Sequence, residues 1–333
     1  MIKKILKYTL VFLFFTSVMV FFYLTQIFGK KLNKNDVTAY IYNNTDSLFK
    51  IRYFGTMCFY MEYKGHAILT DPFFSNPNPI PIQLLYYPHV KAKYLKLFSN
   101  DELSSIKTIL IGHAHYDHCL ELPLFIDKAE PVNILANQSV INLFQTKYPH
   151  NNYIKGEDFV KSQQWFYNQD STIRIYFIDT EHGPHFGNTV LMNGENLPQK
   201  SPPTNLAKWQ CGKSMTYIID FIQNDVVEKR IVFNGGKMNF PVTSKDTAIA
   251  LEHKADIVIL LGWNKNELES KFKAVQLFKP ENIILGHWNN FFNTGNGSHQ
   301  YIRKSDLPET LKSVNLMNPD FKTGIMIPET LKQ

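Results

Sequence analysis

Four side chains that can bind a divalent cation occur within six consecutive residues. These are His113, His115, Asp117 and His118, directly after the apolar run Thr108–Ile111. Neutral imidazole nitrogens and a carboxylate are the ligands that zinc and similar ions prefer. Residues two apart point to the same side of an extended chain, so the first two histidines can converge on one ion while Asp117 and His118 face a second position. A lone histidine would favour a simple polar turn, but this density favours a metal site.

The elements around this segment predict that it is a loop at the end of a strand, where rigid scaffolds commonly hold binding groups. Alternating and apolar runs predict strands at 49–53, 57–63, 66–70, 108–112, 133–136, 173–178, 215–222, 230–234, 257–261 and 282–285, and helices at 120–126, 139–146, 245–253 and 267–277. These elements form two β-rich halves with helices between the later strands. That order predicts an α/β protein in which two sheets pack face to face with helices outside.

Composition sets limits on the class of protein. The chain has 333 residues, of which 44% are hydrophobic and 19% charged, so global disorder is excluded. The net charge of +6 is spread along the chain, which indicates a membrane surface rather than nucleic acid as a partner. The three cysteines, Cys58, Cys119 and Cys211, form no C-x-x-C pair. Neither a disulfide scaffold nor a thiolate zinc knuckle is indicated.

The N-terminus contains an uncharged run from Tyr8 to Phe28. As a helix this run would be about 31 Å long, close to the thickness of a bilayer core. It predicts an N-terminal transmembrane helix, with a cleaved signal peptide as the alternative, although Gln26–Lys31 is a poor cleavage site. We therefore predict an anchor at residues 1–29, a polar tether at 30–48 and one domain at 49–333. The short N-terminal tail favours a single-pass membrane protein whose large domain is extracytoplasmic.

The histidine segment, read as H-A-H-Y-D-H, resembles the H-x-H-x-D-H signature of the metallo-β-lactamase superfamily. Gly55–Pro72 is similar to the opening glycine, paired strands and Thr-Asp-Pro of one branch of that superfamily. This branch contains N-acyl-phosphatidylethanolamine-hydrolysing phospholipase D and L-ascorbate-6-phosphate lactonase. The likeness extends over about residues 49–327. It implies an αββα sandwich with the metal site along one edge of the two sheets.

The resemblance also implies six metal ligands: His113 and His115 for a first ion, Asp117 and His118 for a second, and His182 and His287. His182 follows the predicted strand 173–178 and is preferred to the nearby His185. His287 ends the predicted strand 282–285. The implied cofactor is one or two zinc ions, with manganese and iron as alternatives.

One position departs from the family pattern. The superfamily has a bridging aspartate in a Gly-Asp-Thr segment, and here Gly236 stands at that position. Asn234 or Asp246 could supply an oxygen, but neither is at the expected place. The loss of a bridging carboxylate predicts a weakened second site, which Gly236→Asp should restore. Thr56 and Met57 also replace a histidine that often follows the opening glycine.

These residues predict a membrane-anchored, metal-dependent hydrolase that cleaves a phosphodiester, as in a phospholipid, or a lactone or ester. Asp117, His118 and His287 are the predicted catalytic residues, with Asp117 as a general base and a histidine stabilising developing charge. The expected substrate is small and amphiphilic or phosphorylated, since an apolar segment, Leu84–Tyr87, could contact an interface. No nucleic acid partner is expected, and the sequence does not define the oligomeric state. Because of Gly236, the second hypothesis is a metal- or ligand-binding protein on the same fold with reduced catalysis.

Overall fold

The computed structural model describes residues 2–27, 29–75, 92–185, 189–262, 267–291, 300–302 and 305–330. Its strands are β1 Gly29–Lys31, β2 Phe49–Gly55, β3 Cys58–Tyr63, β4 His66–Thr70, β5 Ile106–Leu110, β6 Asn133–Ala136, β7 Asn152–Lys155, β8 Phe166–Tyr167, β9 Ile173–Glu181, β10 Ser214–Gln223, β11 Val226–Asn234, β12 Lys237–Met238, β13 Ile257–Leu261, β14 Asn282–Gly286, β15 Gln300–Ile302 and β16 Lys322–Ile325. Its α-helices are α1 Ile2–Ile27, α2 Lys34–Val37, α3 Asn100–Ser105, α4 Tyr116–Cys119, α5 Pro123–Ile126, α6 Gln138–Phe144, α7 Gly156–Ser162, α8 Ser244–Glu252, α9 Leu268–Phe278 and α10 Leu307–Met317. The apolar segment Leu84–Tyr87 lies outside the described residues.

Two large sheets form the body of the protein. The first has the order β2-β3-β4-β5-β6-β7, and the second has the order β12-β9-β10-β11-β13-β14-β16 with β8 beside β9. Each sheet has an antiparallel half followed by a parallel half, because helices connect the later strands. The prediction of an α/β protein with two packed sheets is confirmed.

The side chains of β3 show how the first sheet separates two apolar layers. Phe59, Met61 and Tyr63 belong to the core that also contains the residues of the second sheet. Cys58 and Tyr60 belong to the core on the other face, with residues of α5 and α6. Successive side chains of a strand point to opposite faces, so a strand with both faces covered is mostly apolar. The sheet is therefore an interior layer.

The predicted membrane anchor at residues 8–28 is wrong. The structure has a helix, α1, that begins at Ile2 and ends at Ile27, so it includes Lys3, Lys4 and Lys7 in addition to residues 8–27. Among the described residues, the structure contains no helix whose length and apolar character would allow it to span a bilayer. The single-pass membrane location and the transmembrane helix of the predicted fold are corrected accordingly.

The segment predicted as a tether packs against the rest of the chain at several points. β1 pairs antiparallel with β15, and Ile41 forms a parallel bridge with Ile325, the last residue of β16. Leu32 and Val37 are buried in the core that the second sheet shares. The division of the chain at residues 29 and 48 stays a prediction.

Candidate metal centre

The histidine segment follows β5 and is fixed to the second sheet by backbone hydrogen bonds. Met215 N donates to Gly112 O at 2.9 Å, and Ala114 N donates to Cys211 O at 2.9 Å. A Cβ atom at Gly112 would lie 3.1 Å from Gly235 Cα, so the close approach of the two loops favours glycine there. The predicted strand-end loop is therefore where the two sheets meet.

Four side chains from three separate segments form a first group of ligand atoms. His113, His115, His182 and Cys211 each offer one atom, and these atoms all lie within 4.8 Å of one another. The ring centroids of His113 and His182 are 4.6 Å apart, and those of His115 and His182 are 4.7 Å apart. His182 directly follows β9, as the sequence predicts. Cys211 was not among the predicted ligands.

Hydrogen bonds show which ring nitrogens of this group are available to an ion. His115 Nε2 is 3.1 Å from Leu191 O, and His182 Nδ1 is 2.5 Å from Gly183 O. Because a carbonyl oxygen only accepts, these two nitrogens must carry the hydrogen, which leaves His115 Nδ1 and His182 Nε2 as acceptors. Both ring nitrogens of His113 are buried and have no hydrogen-bond partner among the described residues. Such a buried, unsatisfied imidazole fits a cation, since a purely structural histidine would be paired.

His185, the alternative to His182, lies beside the first group. Its ring stacks on that of His182, with centroids 4.6 Å apart and planes 16° apart. Its Nδ1 accepts a hydrogen bond from Leu191 N at 3.0 Å. His185 is not a member of either group of clustered ligand atoms. The structure thus favours His182 over His185.

A second group consists of Asp117, His118 and His287, whose ligand atoms also lie within 4.8 Å of one another. Asp117 Oδ2 is 3.3 Å from His287 Nε2 and 3.8 Å from His118 Nε2. The two groups are adjacent, because the ring centroids of His113 and His118 are 3.8 Å apart. His287 has a left-handed backbone with φ of 54°, which is uncommon for a residue other than glycine. Its backbone N–H donates to Thr56 O, so the opening loop of the first sheet helps to hold this conformation.

Asp71, from the Thr-Asp-Pro segment, orients one of these histidines. Its fully buried carboxylate lies 2.6 Å from His118 Nδ1 and accepts a hydrogen bond from Gly112 N at 2.7 Å. A carboxylate that receives the Nδ1 hydrogen fixes the tautomer and leaves Nε2 for an ion. Nε2 of His118 is buried and has no hydrogen-bond partner among the described residues. The sequence motif included Asp71, but its role was not predicted.

The electrostatics of the site suit a cation. Burial lowers the pKa of His113 and His182 well below the usual range, and it lowers the pKa of His115 to about 4. These imidazoles are therefore neutral at pH 7, the form that binds metal. Burial raises the pKa of Asp117, but His118 and His287 outweigh it and the net pKa is lowered. The site thus offers neutral nitrogens beside an ionised carboxylate.

The position of the expected bridging aspartate has no space for a side chain. A Cβ atom at Gly236 would lie 2.7 Å from Thr180 Oγ1 and 2.8 Å from Glu181 O. Asn234 Oδ1 accepts a hydrogen bond from Gly236 N at 3.2 Å. Asp246 caps α8, and its carboxylate accepts a hydrogen bond from Tyr176 Oη at 2.8 Å, so it is used elsewhere. The glycine is therefore required by packing between β9 and β10.

Comparisons with known proteins agree with this arrangement. Residues 50–187 match the sequence model of the beta-lactamase superfamily domain. Among solved structures, the chain is similar to Igni18, a metallo hydrolase from the hyperthermophilic archaeon Ignicoccus hospitalis. The two sequences are 18% identical and the TM-score is 0.51; the match covers 85% of this chain and 96% of Igni18. It is also similar to a possible metal-dependent hydrolase from Veillonella parvula, with 15% identity and a TM-score of 0.51. That match covers 86% of this chain and 100% of the Veillonella protein. None of the curated proteins matches the chain.

At such identities the solved structures show the fold alone, and that fold is metallo-β-lactamase-like. The match to the superfamily domain covers residues 50–187, which is less than half of the chain. The narrower branch of phospholipase D and lactonase enzymes is not confirmed.

Proposed function

We propose that the protein is a metal-dependent hydrolase whose site is formed by the two adjacent ligand groups. The observation that carries this proposal is the convergence of seven ligand side chains from four separate segments at one edge of the sheets. His113 and His118 each present a buried ring nitrogen without a hydrogen-bond partner among the described residues. Exposed clusters of acidic residues are common without a metal, whereas buried, converging imidazoles with unpaired ring nitrogens are not explained by packing. The matched superfamily domain and the two similar proteins, a metallo hydrolase and a possible metal-dependent hydrolase, support the same class of activity.

A divalent cation bound there would acidify a coordinated water and polarise the carbonyl or phosphoryl oxygen of a substrate. The residues of the chain supply what surrounds that chemistry. Asp71 holds His118 in one tautomer, and His118 and His287 keep the Asp117 carboxylate ionised. An ionised Asp117 can either bind a cation or accept a proton from a water that no metal holds. When no ion occupies this second group, His287 Nε2, 3.3 Å from that carboxylate, can stabilise negative charge that develops on a substrate.

For the substrate we propose a phosphodiester or a lactone or ester. The support is the likeness of Gly55–Pro72 to the branch with lipid phosphodiesterase and lactonase members, together with the ligand set. All of these bonds place an electrophilic phosphorus or carbon next to an oxygen that a cation can polarise. A small, phosphorylated molecule would also be attracted by the cations themselves.

The experiment is a metal analysis of the purified chain combined with a hydrolysis panel. We expect zinc or a similar ion to co-purify and turnover of bis-p-nitrophenyl phosphate, p-nitrophenyl esters or a simple lactone. Treatment with a chelator should abolish turnover, and adding the metal back should restore it. His185→Ala is the control for replacement of a ligand such as His182, because the ring of His185 lies beside the ligands without belonging to either group. A chain that binds no metal, or turnover that is indifferent to chelation, would refute the proposal.

A second candidate is a metal-binding protein without hydrolytic activity, and Gly236 is the observation that favours it. The bridging carboxylate is absent and the backbone leaves no space for one. Stoichiometric metal together with no turnover on diesters, esters, lactones or thioesters would select this candidate.

A further inference from the structure

We infer that Cys211 is a fourth ligand of the first metal position, which makes that position a closed zinc site and leaves the second position to do the chemistry. The inference rests on the proposed metal site and assigns different roles to its two halves. The sulfur of Cys211 lies within 4.8 Å of one nitrogen of each of His113, His115 and His182. In a tetrahedral zinc site with usual bond lengths, ligand atoms are about 3.3 to 3.7 Å apart. Shifts of about 1 Å or less would therefore close the four atoms around an ion.

An independent feature of the same position is the unsatisfied His113. Its two ring nitrogens are buried without hydrogen-bond partners among the described residues, and its ring faces His115 and His182. A buried cysteine is usually a small apolar side chain packed in a core. Here the thiol is 1% exposed, but it shares its site with three imidazoles. The Ser214 hydroxyl is 4.0 Å from the sulfur, at the outer limit for a hydrogen bond with sulfur.

The backbone on both sides of Cys211 is fixed before any ion binds. Cys211 N donates to Met192 O at 2.8 Å, and Cys211 O accepts from Asn137 Nδ2 as well as from the backbone of the histidine loop, both at 2.9 Å. The next residue, Gly212, has φ of 65°, and a Cβ atom there would lie 2.6 Å from Ser139 Cβ. This turn therefore requires glycine. The thiol is thus placed next to the histidine loop by main-chain contacts.

The charge of the site gives the inference its chemical reason. With Gly236 at the bridging position, three neutral imidazoles would leave a dication at the first position without an anionic ligand. A Cys211 thiolate supplies that negative charge, and thiolates favour zinc over manganese or magnesium. Four protein ligands are typical of structural zinc, whereas three protein ligands and an open position are typical of catalytic zinc. The second group, Asp117, His118 and His287, has three ligands and is therefore the open one.

The test uses cobalt as a spectroscopic probe of the first site. Cobalt(II) bound to a thiolate gives a near-ultraviolet charge-transfer band, and we expect this band in the full-length wild-type chain loaded with one equivalent of cobalt. Cys211→Ser should abolish the band and weaken binding of the first zinc by at least about tenfold. Loss of a residue that only hydrogen-bonds a metal ligand already lowers metal affinity by about that factor. Cys58→Ala and Cys119→Ala are matched controls, because both thiols are buried but belong to neither group, and they should retain the band.

The outcomes separate this inference from the proposed function. A wild-type chain that shows cobalt ligand-field bands without the thiolate band overturns the role of Cys211, even if hydrolysis is intact. A thiolate band that persists in Cys211→Ser overturns it as well. A band that depends on Cys211 supports the inference, and if such a protein has no hydrolytic activity, the proposed function fails alone. Should Cys211→Ser not fold, zinc X-ray absorption of the wild type decides instead, by the presence or absence of one sulfur neighbour at about 2.3 Å.

Discussion

Replacement of Asp71 by asparagine tests whether the buried carboxylate orients a metal ligand. In the structure the carboxylate accepts a hydrogen bond from Gly112 N at 2.7 Å and lies 2.6 Å from His118 Nδ1. In Asp71→Asn the amide oxygen can still accept from Gly112, but the amide NH₂ then faces Nδ1. His118 must turn Nδ1 into an acceptor, which moves its hydrogen to Nε2, the nitrogen needed for an ion. Loss of a residue that hydrogen-bonds a metal ligand typically lowers metal affinity by about 10- to 100-fold, or about 1.4 to 2.7 kcal/mol.

The assay is competition of the apo-protein with a chromophoric chelator for zinc, with the apo-protein melting temperature recorded in parallel. We expect the affinity of the second site to fall by about one to two orders of magnitude while the first site changes less. Asp246→Asn is the matched control: Asp246 is also buried, but it caps a helix and accepts a hydrogen bond from Tyr176 Oη, so its loss should lower the melting temperature without changing zinc affinity. Unchanged second-site affinity in a folded Asp71→Asn protein would refute the orienting role.

Three further predictions concern other positions. His182→Ala should lose the first metal, whereas His185→Ala should retain it, as metal analysis of the two variants would show; equal loss from both would contradict the choice of His182. Burial raises the pKa of Glu121 to about 7 from 4.5. The folded state then binds more protons than the unfolded state, so this group's contribution to stability falls as pH rises from about 4.5 to 7, by at most about 3 kcal/mol. The free energy of unfolding of the metal-free Glu121→Gln variant, measured by urea denaturation, should not show that decrease with pH. The same pH dependence in wild type and variant would contradict this role of Glu121. Gly236→Asp should lower the free energy of unfolding by about 1 to 3 kcal/mol through overpacking, without adding a second metal. A stable variant with higher metal content would instead support the expectation that Gly236→Asp restores the second site.

Strong local patterns predicted most of the elements that carry the site. The strands His66–Thr70, Asn133–Ala136 and Ile257–Leu261 have the predicted bounds. Helix α10 was missed although its signal is present: Leu307, Thr310, Leu311 and Val314 are buried at the i, i+3, i+4, i+7 spacing. The edge strand Asn152–Lys155 is short and half-exposed, so no alternating apolar pattern marks it.

The histidines of the site were accessible to sequence reasoning because each directly follows a predicted strand. Cys211 was not, because its proximity to His113 depends on a turn at Gly212 and on hydrogen bonds to residues far away in the chain. The absence of a C-x-x-C pair argued against a thiolate zinc knuckle, yet a single cysteine can join histidines from other segments. The sequence also could not predict why position 236 is glycine, because the reason is its close packing against β9 and β10.

A crystal structure of the zinc-loaded protein, with data collected on both sides of the zinc absorption edge, would show directly whether these side chains bind metal. We predict an anomalous peak among His113, His115, His182 and Cys211, and a second one among Asp117, His118 and His287 when zinc is in excess. Zinc bound only at other surfaces, with these seven side chains folded together and no peak between them, would contradict it.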